Sequence, residues 1–329
     1  MQYRRLGNSQ LKVSTVSMGC WAIVGDDTWG AQDEKSALDT IKVAYNNGIN
    51  FFDTAESYGN GYSEELLGKA LKDKRQDVII ASKVKKKNLS AKDLKKSCEN
   101  SLKRLGTNYL DLYYIHWPNS DVPFAETLGA MEDLKKEGKI RAIGCSNFGK
   151  NDFAKLMKKG RVEVNQLPYN LLFRAIESDI IELCRKNNVS ITSYSSLAQG
   201  LLTGKFKSAD LVPNGRARTR HFSSDRSDTR HSGPGFEDLT FKTINKIREI
   251  SQKMGVGMAE LSLAWILQQP GITSVVVGAR NPEQITINAR ASNIKIPEDA
   301  LKELTNVSNK LKEKLGNNPD MWQTNSRYN

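Results

Sequence analysis

Apolar and polar positions follow two rhythms along the chain. Short apolar runs recur: VSMG from Val16, INFFD from Ile49, VIIASK from Val78, YLDLYYIH from Tyr109 and IRAIGCSN from Ile140. VEVNQ from Val162, VSITSYS from Val189 and ITSVVVGA from Ile272 continue the series. Between them lie segments such as EKSALDTIKVAYNNG, AKDLKKSCENSLKRLG and AETLGAMEDLKKEGK, in which apolar residues recur three and four apart and a glycine marks the end. The first rhythm predicts buried strands, the second amphipathic helices. Eight strands alternating with helices, without a break in composition, predict an α/β fold: a (β/α)8 TIM barrel forming one domain over residues 1–329. An open doubly wound sheet is the alternative, weakened because no GxGxxG follows the first strand.

Two additions decorate this pattern. YRRLGNSQLKV places apolar residues on either side of a Gly-Asn-Ser turn and predicts a small N-terminal hairpin that plugs the bottom of the barrel. From Ser195 to Phe241 the periodicity lapses, and strand–helix order then resumes. Long irregular segments inside compact domains are usually functional, so this one is read as a loop after the seventh barrel strand. A tail from about residue 316, NNPDMWQTNSRYN, either folds over the mouth, carrying Asp320, Trp322 and Arg327 toward substrate, or frays.

Composition narrows the function classes. With 329 residues, 38% hydrophobic and 26% charged, the chain reads as a globular protein with a large core. No apolar run suits a membrane span, and no apolar stretch follows the charged N-terminus as a secretory signal would require. The four cysteines (Cys20, Cys98, Cys145, Cys184) have neither zinc nor disulfide spacing. A cytoplasmic, metal-free enzyme is expected, with monomer as the default state. The net charge of +12 comes largely from lysines spread along helical faces, a solvated surface rather than a nucleic-acid platform. One basic segment differs: GRARTRHFSSDRSDTRH, Gly215 to His231, sits in the predicted long loop and is suited to gripping phosphates.

The chemistry sits at the strand ends. Catalytic groups of such barrels project from the C-terminal ends of strands. DTAESYGNGYSEELLG puts Asp53 at the end of the second barrel strand and Tyr58 in the loop after it, with a helix opening at Ser63. Lys83 ends VIIASK and His116 ends LYYIH. A free phenol has a pKa of about 10. A neighbouring ammonium lowers it, and Asp53 would hold that ammonium as an ion pair. His116 would donate to a substrate oxygen, leaving Tyr58 poised as an acid against a carbonyl. No side chain supplies hydride, so a nicotinamide cofactor is implied.

These motifs resemble those of the aldo-keto reductases, from roughly Leu6 to Leu304, and most of all the bacterial single-barrel reductases of the general-stress and inositol-locus type. The resemblance rests on DTAESYGNGYSEELLG, IIASKV, YLDLYYIHWP, GKIRAIGCSNF, VNQLPYN and GARNPEQITIN. It implies that Asp53, Tyr58, Lys83 and His116 form a catalytic tetrad. It also implies that Ser146, Asn147 and Gln166 hold the nicotinamide carboxamide while Tyr194 stacks on its ring. SSLAQGLLTGK resembles the loop that crosses the pyrophosphate, bringing Ser195, Leu197, Gly200 and Lys205, with Arg216, to the phosphates. Gly278, Arg280, Gln284 and Asn288 fall where the family binds the adenosine half. Many members carry a Lys-Ser pair at the 2′-phosphate; here Gly278-Ala279 precedes Arg280, whose planar fork suits a phosphate. NADP(H) is therefore favoured over NAD(H).

The expected function is NADPH-dependent reduction of a small-molecule aldehyde or ketone, with the reverse oxidation open. The alternative is an NADP-binding regulatory subunit on the same fold, as in the potassium-channel β subunits. His116 favours the enzyme, because those subunits carry Asn at that position. Trp21, Trp29, Trp117 and Trp322 are the candidate substrate walls, suited equally to reactive aldehydes and sugar-type carbonyls.

Overall fold

The computed structural model describes residues 1–328; Asn329, the last residue of the expected tail, lies outside them. The chain opens with β1 (Tyr3–Arg5) and β2 (Lys12–Ser14), an antiparallel hairpin. The apolar runs then form β3 (Val16–Gly19), β4 (Phe51–Asp53), β5 (Ile79–Val84), β6 (Leu110–Ile115), β7 (Ile140–Ser146), β8 (Val164–Pro168), β9 (Ser190–Tyr194) and β10 (Ile272–Gly278). All eight pair in parallel with their sequence neighbours, and β10 closes on β3 with Val275 opposite Val16. The predicted barrel and its hairpin are both present.

Helices return the chain between strands, and their starts are chemically marked. Asp33 accepts from the backbone N–H of Ser36 and opens 34–46; Ser90 accepts from that of Asp93 and opens 91–105. Such caps satisfy N–H groups that have no partner within the helix. Helix 91–105 stops at Gly106, which takes φ 63°, a region costly for any residue with a Cβ. The apolar faces of the helices and the outer faces of the strands share one large core.

A second, smaller core fills the barrel's N-terminal end. Leu6 and Val13 of the hairpin are fully buried there among Phe51, Leu112, Tyr114 and Val164. The hairpin is pinned by Gly7 N–H donating to Ser190 Oγ (2.8 Å) and Asn8 N–H to Glu163 Oε2 (2.7 Å). The hairpin thus closes the barrel from below.

Two irregular segments close the other end. The stretch after β9 runs through short 3-10 turns at 198–203 and 214–216 until a helix begins at Glu237, a few residues earlier than expected. The tail is docked. Arg220 donates to the carbonyls of Leu315, Asn318 and Asp320 at 2.8, 2.8 and 2.9 Å. Fully buried Asp320 pairs with Arg327 at 2.7 Å, and buried Tyr328 sets its ring 5.6 Å from that of Trp117. No helix among the described residues is long and apolar enough to cross a membrane.

Candidate active site

Asp53 is the last residue of β4, Lys83 the penultimate residue of β5, and His116 the residue just after β6. Parallel pairing of β4, β5 and β6 brings these positions to one end of the barrel. Tyr58 enters from a 3-10 turn, 58–61, whose Gly59 and Asn60 are both left-handed; the helix behind it opens at Tyr62, one residue before the expected Ser63. The four side chains meet. Lys83 Nζ lies 2.5 Å from Asp53 Oδ1, 2.8 Å from the Thr54 carbonyl and 3.2 Å from the Tyr58 hydroxyl. The His116 ring stands edge-on to Tyr58, centroids 6.0 Å apart.

Electrostatics departs from expectation at Tyr58. Burial pushes the phenol above its ordinary pKa, and Lys83 opposes that rise only in part. The expected depression is not found, because desolvation of the phenolate outweighs the nearby ammonium. Burial also works against the Lys83 charge, but Asp53 and Tyr58 overcome it, so Lys83 stays firmly protonated. Burial, with Lys83 and Lys85 adding repulsion, drives His116 well below the usual imidazole range. At neutral pH the cluster is a carboxylate–ammonium pair, a neutral phenol and a neutral imidazole.

Of the single residues the sequence pointed to, all except buried Lys83 and Asp320 line one cavity of about 860 Å³. Beside the tetrad, Asn147 adopts φ 64°, unusual for a residue with a side chain. It is held there by Nδ2 donating to the His116 carbonyl (3.0 Å) and by Tyr194 OH donating to Oδ1 (2.8 Å). Ser146 Oγ donates to the Gln166 carbonyl, and Gln166 Nε2 donates to Asp53 Oδ2 at 2.8 Å. The amide group therefore braces the carboxylate, a link the sequence did not suggest.

Farther along, Ser195, Leu197, Gly200, Lys205 and Arg216 face Gly278, Arg280, Gln284 and Asn288. Lys205 is repelled by Arg216 and Arg280, so three cations gather at this end. Gly200, at φ 94°, lets Lys205 lie close: a Cβ there would fall 3.0 Å from its Cε. Arg280 is less free than expected. Its guanidinium donates to the carbonyls of Gly30 and Ala31 and to Gln32 Oε1, pinning the loop after β3.

The four tryptophans surround the same space. Trp21 stacks on Tyr58 (5.9 Å, 17°), Trp29 reaches from Trp21 to Arg216, and Trp117 carries the Arg327 guanidinium 4.0 Å above its ring. Trp322 and Arg327 reach the cavity from the tail, whereas Asp320 stays beneath, orienting Arg327. The basic segment 215–231 divides. Arg216, Arg218 and Arg230 line the cavity, but Arg220 ties down the tail and Arg226 pairs with Glu237 at 2.8 Å. Its sequence flagged the segment as a whole and gave no sign of which arginines face inward. Gln199 was missed; it lines the cavity with a buried Oε1 that has no partner among the described residues. Among the described residues no cluster suited to a metal ion occurs.

Comparison with known proteins matches the chain to one family. Residues 15–309 fit the model of the aldo/keto reductase family. The chain is 35% identical to the aldo-keto reductase YhdN of Bacillus subtilis, covering 87% of each chain. It is 34% identical to an NADH-specific methylglyoxal reductase of Escherichia coli, over 89% of this chain and 94% of that one. A crystal structure of an aldo/keto reductase from Klebsiella pneumoniae with NADP and acetate superposes with a TM-score of 0.75 at 28% identity, covering 93% and 95% of the two chains. The chain belongs to the aldo/keto reductase family.

Proposed function

We propose that the protein reduces an aldehyde or ketone to an alcohol with NADPH, through Asp53, Tyr58, Lys83 and His116, the barrel and its docked tail acting as one unit. The observation that carries this reading is the ammonium of Lys83 held between Asp53 and the Tyr58 hydroxyl on the floor of a large cavity. The cavity's chemistry suits a dinucleotide phosphate. Lys205, Arg216 and Arg280 gather at one end, and the buried Gln199 oxygen and Trp29 indole N–H have no partner among the described residues. When bound, NADPH would supply the hydride that the carbonyl carbon gains.

The chain's own part is the proton. Tyr58, kept protonated through neutral pH by burial, gives its hydroxyl proton to the carbonyl oxygen as negative charge develops there. Lys83 stabilises the phenolate left behind, and Asp53 and the Thr54 carbonyl fix Lys83 in place. His116, being neutral, acts as a hydrogen-bond donor to the substrate oxygen rather than as a charge. Asn147, Ser146 and Tyr194 would set the plane and face of the nicotinamide. NADP is favoured by the cationic cluster and by the NADP-bound Klebsiella pneumoniae relative, although the Escherichia coli relative is NADH-specific.

The test is Tyr58→Phe, assayed by NADPH absorbance over a panel of aldehydes and ketones. Turnover should fall by about 10² to 10⁴, with NADPH affinity retained. Unchanged turnover would remove Tyr58 as the acid; no turnover of any carbonyl by the wild type would remove the reductase reading.

A further inference from the structure

The cavity holds two separate groups of cations. Lys205, Arg216 and Arg280 repel one another at the end assigned above to the cofactor phosphates. Arg218 does not belong to that group. The cation it feels is Arg230, and both line the cavity on the side of the tail. Neither makes a hydrogen bond or an ion pair within 4 Å among the described residues, and the Arg218 Nε is buried without any partner. Every other arginine that reaches this side is committed: Arg327 to Asp320, Arg220 to the tail carbonyls.

Arg218 is flanked by two aromatic rings. Its guanidinium lies 5.8 Å from the Trp21 ring and 5.4 Å from the Trp322 ring, half-buried between them. Trp21 in turn stacks on Tyr58. Arg218 is therefore two ring contacts from the proposed proton donor. Two carboxylates attract it without forming an ion pair, Asp26 and Asp228, the latter also lining the cavity, but burial and Arg230 outweigh them. Asp26 is already engaged by the Trp21 indole N–H at 2.7 Å and by the backbone N–H groups of Thr28 and Trp29. A half-buried guanidinium with open donors and a cationic neighbour is an unfavourable arrangement unless an anion completes it.

We propose that Arg218 and Arg230 form an anion-recognition site for the substrate, which is a short carbonyl compound bearing a phosphate or carboxylate at the end remote from its carbonyl. The proposal rests on the reductase reading and deepens it: the carbonyl sits at Tyr58 and His116, and the anion lies beyond Trp21. Arg218 offers a planar fork that matches two oxygens, and Arg230, exposed at the rim, adds charge that draws the anion inward. Trp21 and Trp322 flank the fork.

Two matched pairs of substrates test it and separate the two sources of anion: glyceraldehyde 3-phosphate against glyceraldehyde, and succinic semialdehyde against butanal. At least one anionic member should have a higher kcat/KM than its neutral partner, and that advantage should shrink with added salt. In Arg218→Ala the anionic-to-neutral ratio should fall by about 10- to 100-fold, the range for losing a hydrogen bond to a charged group. Arg218→Lys should restore part of it. A second readout needs no turnover: glycerol 3-phosphate and succinate, against glycerol as the neutral control, titrated by tryptophan fluorescence on the NADP complex. One of the two anions should bind the wild type more tightly than Arg218→Ala or Arg230→Ala. Equal ratios in wild type and Arg218→Ala, or equal affinity of both anions for wild type and variants, would overturn the proposal. Failure of the reductase reading looks different: no carbonyl is reduced, while the fluorescence titration still decides the anion site.

Discussion

Removing the ammonium at the centre of the site separates its structural role from its chemical one. In Lys83→Met the Asp53 carboxylate loses a partner 2.5 Å away and stays buried, at 2% exposure, with only the Gln166 amide on its other oxygen. Breaking a buried pair from one side typically costs about 3 to 5 kcal/mol, and the surviving Gln166 bond puts the expectation near the lower figure. Under the proposed mechanism the chemical loss falls on the phenolate that Tyr58 becomes when it gives up its proton. At an effective dielectric of about 20, unit charges at the 3.2 Å between Lys83 Nζ and the Tyr58 oxygen attract by about 5 kcal/mol. Asp53 repels the same phenolate and cancels part of this. A net effect of about 1 to 3 pKa units, or about 1.4 to 4 kcal/mol, predicts a drop in kcat/KM of about 10- to 10³-fold. Urea unfolding measures the first quantity and steady-state kinetics the second. Adding Asp53→Asn removes the stranded carboxylate, so the double variant should regain about 2 kcal/mol or more while its activity stays low. Stability losses that simply add would show that the two groups are not coupled, and a Lys83→Met enzyme within about threefold of wild-type kcat/KM would remove the ammonium from the chemistry.

The cofactor end and the acid limb offer two further expectations. Arg280→Ala should weaken NADPH binding more than NADH binding. Because it also releases the Gly30–Gln32 loop, a smaller loss common to both cofactors should accompany the selective one; Lys205→Ala and Arg216→Ala should weaken both alike, all read by fluorescence titration. His221 is buried with a pKa lowered to about 4, chiefly by burial. The unfolded chain takes up this proton near 6.5 and the folded one does not, so the stability it confers is full above that value and is lost as pH falls toward 4. The full gap is worth about 3 kcal/mol. Urea midpoints of wild type and His221→Gln should therefore converge as the buffer is acidified from about pH 7.5 to about pH 4.5, and a constant difference would show that His221 is not the group responsible.

The strand ends were legible in the sequence because period and chemistry coincide there. An apolar run that stops at Asp53, Lys83 or His116 reports both a strand and its polar mouth, and parallel pairing then leaves little freedom in where those groups go. What was not legible depends on contacts between distant segments. Arg216, Arg218, Arg220 and Arg226 sit at alternate or nearby positions of one basic stretch, yet two face the cavity and two hold the fold. The tail carbonyls engage Arg220 and Glu237 engages Arg226, and local pattern encodes neither contact. The same holds for Arg280, whose spacing suits a phosphate but whose donors also find the carbonyls of a loop some 250 positions away in the chain. The direction of the Tyr58 shift was misread for a related reason: residue type reports the neighbouring charge, whereas burial appears only once the chain is folded.

The N-terminal hairpin has a bearing on the reaction although it lies at the opposite end of the barrel. Leu6 and Val13 pack with Tyr114, and the Tyr114 ring lies 5.9 Å from Lys83 Nζ. The hairpin is thus the floor of a column of fully buried side chains that ends at the ion pair. Water admitted from below would raise the local dielectric and weaken the hold of Lys83 on both Asp53 and the phenolate. The first fourteen residues, which carry none of the proposed catalytic groups, would thereby help keep the field strong in which the proposed proton transfer takes place.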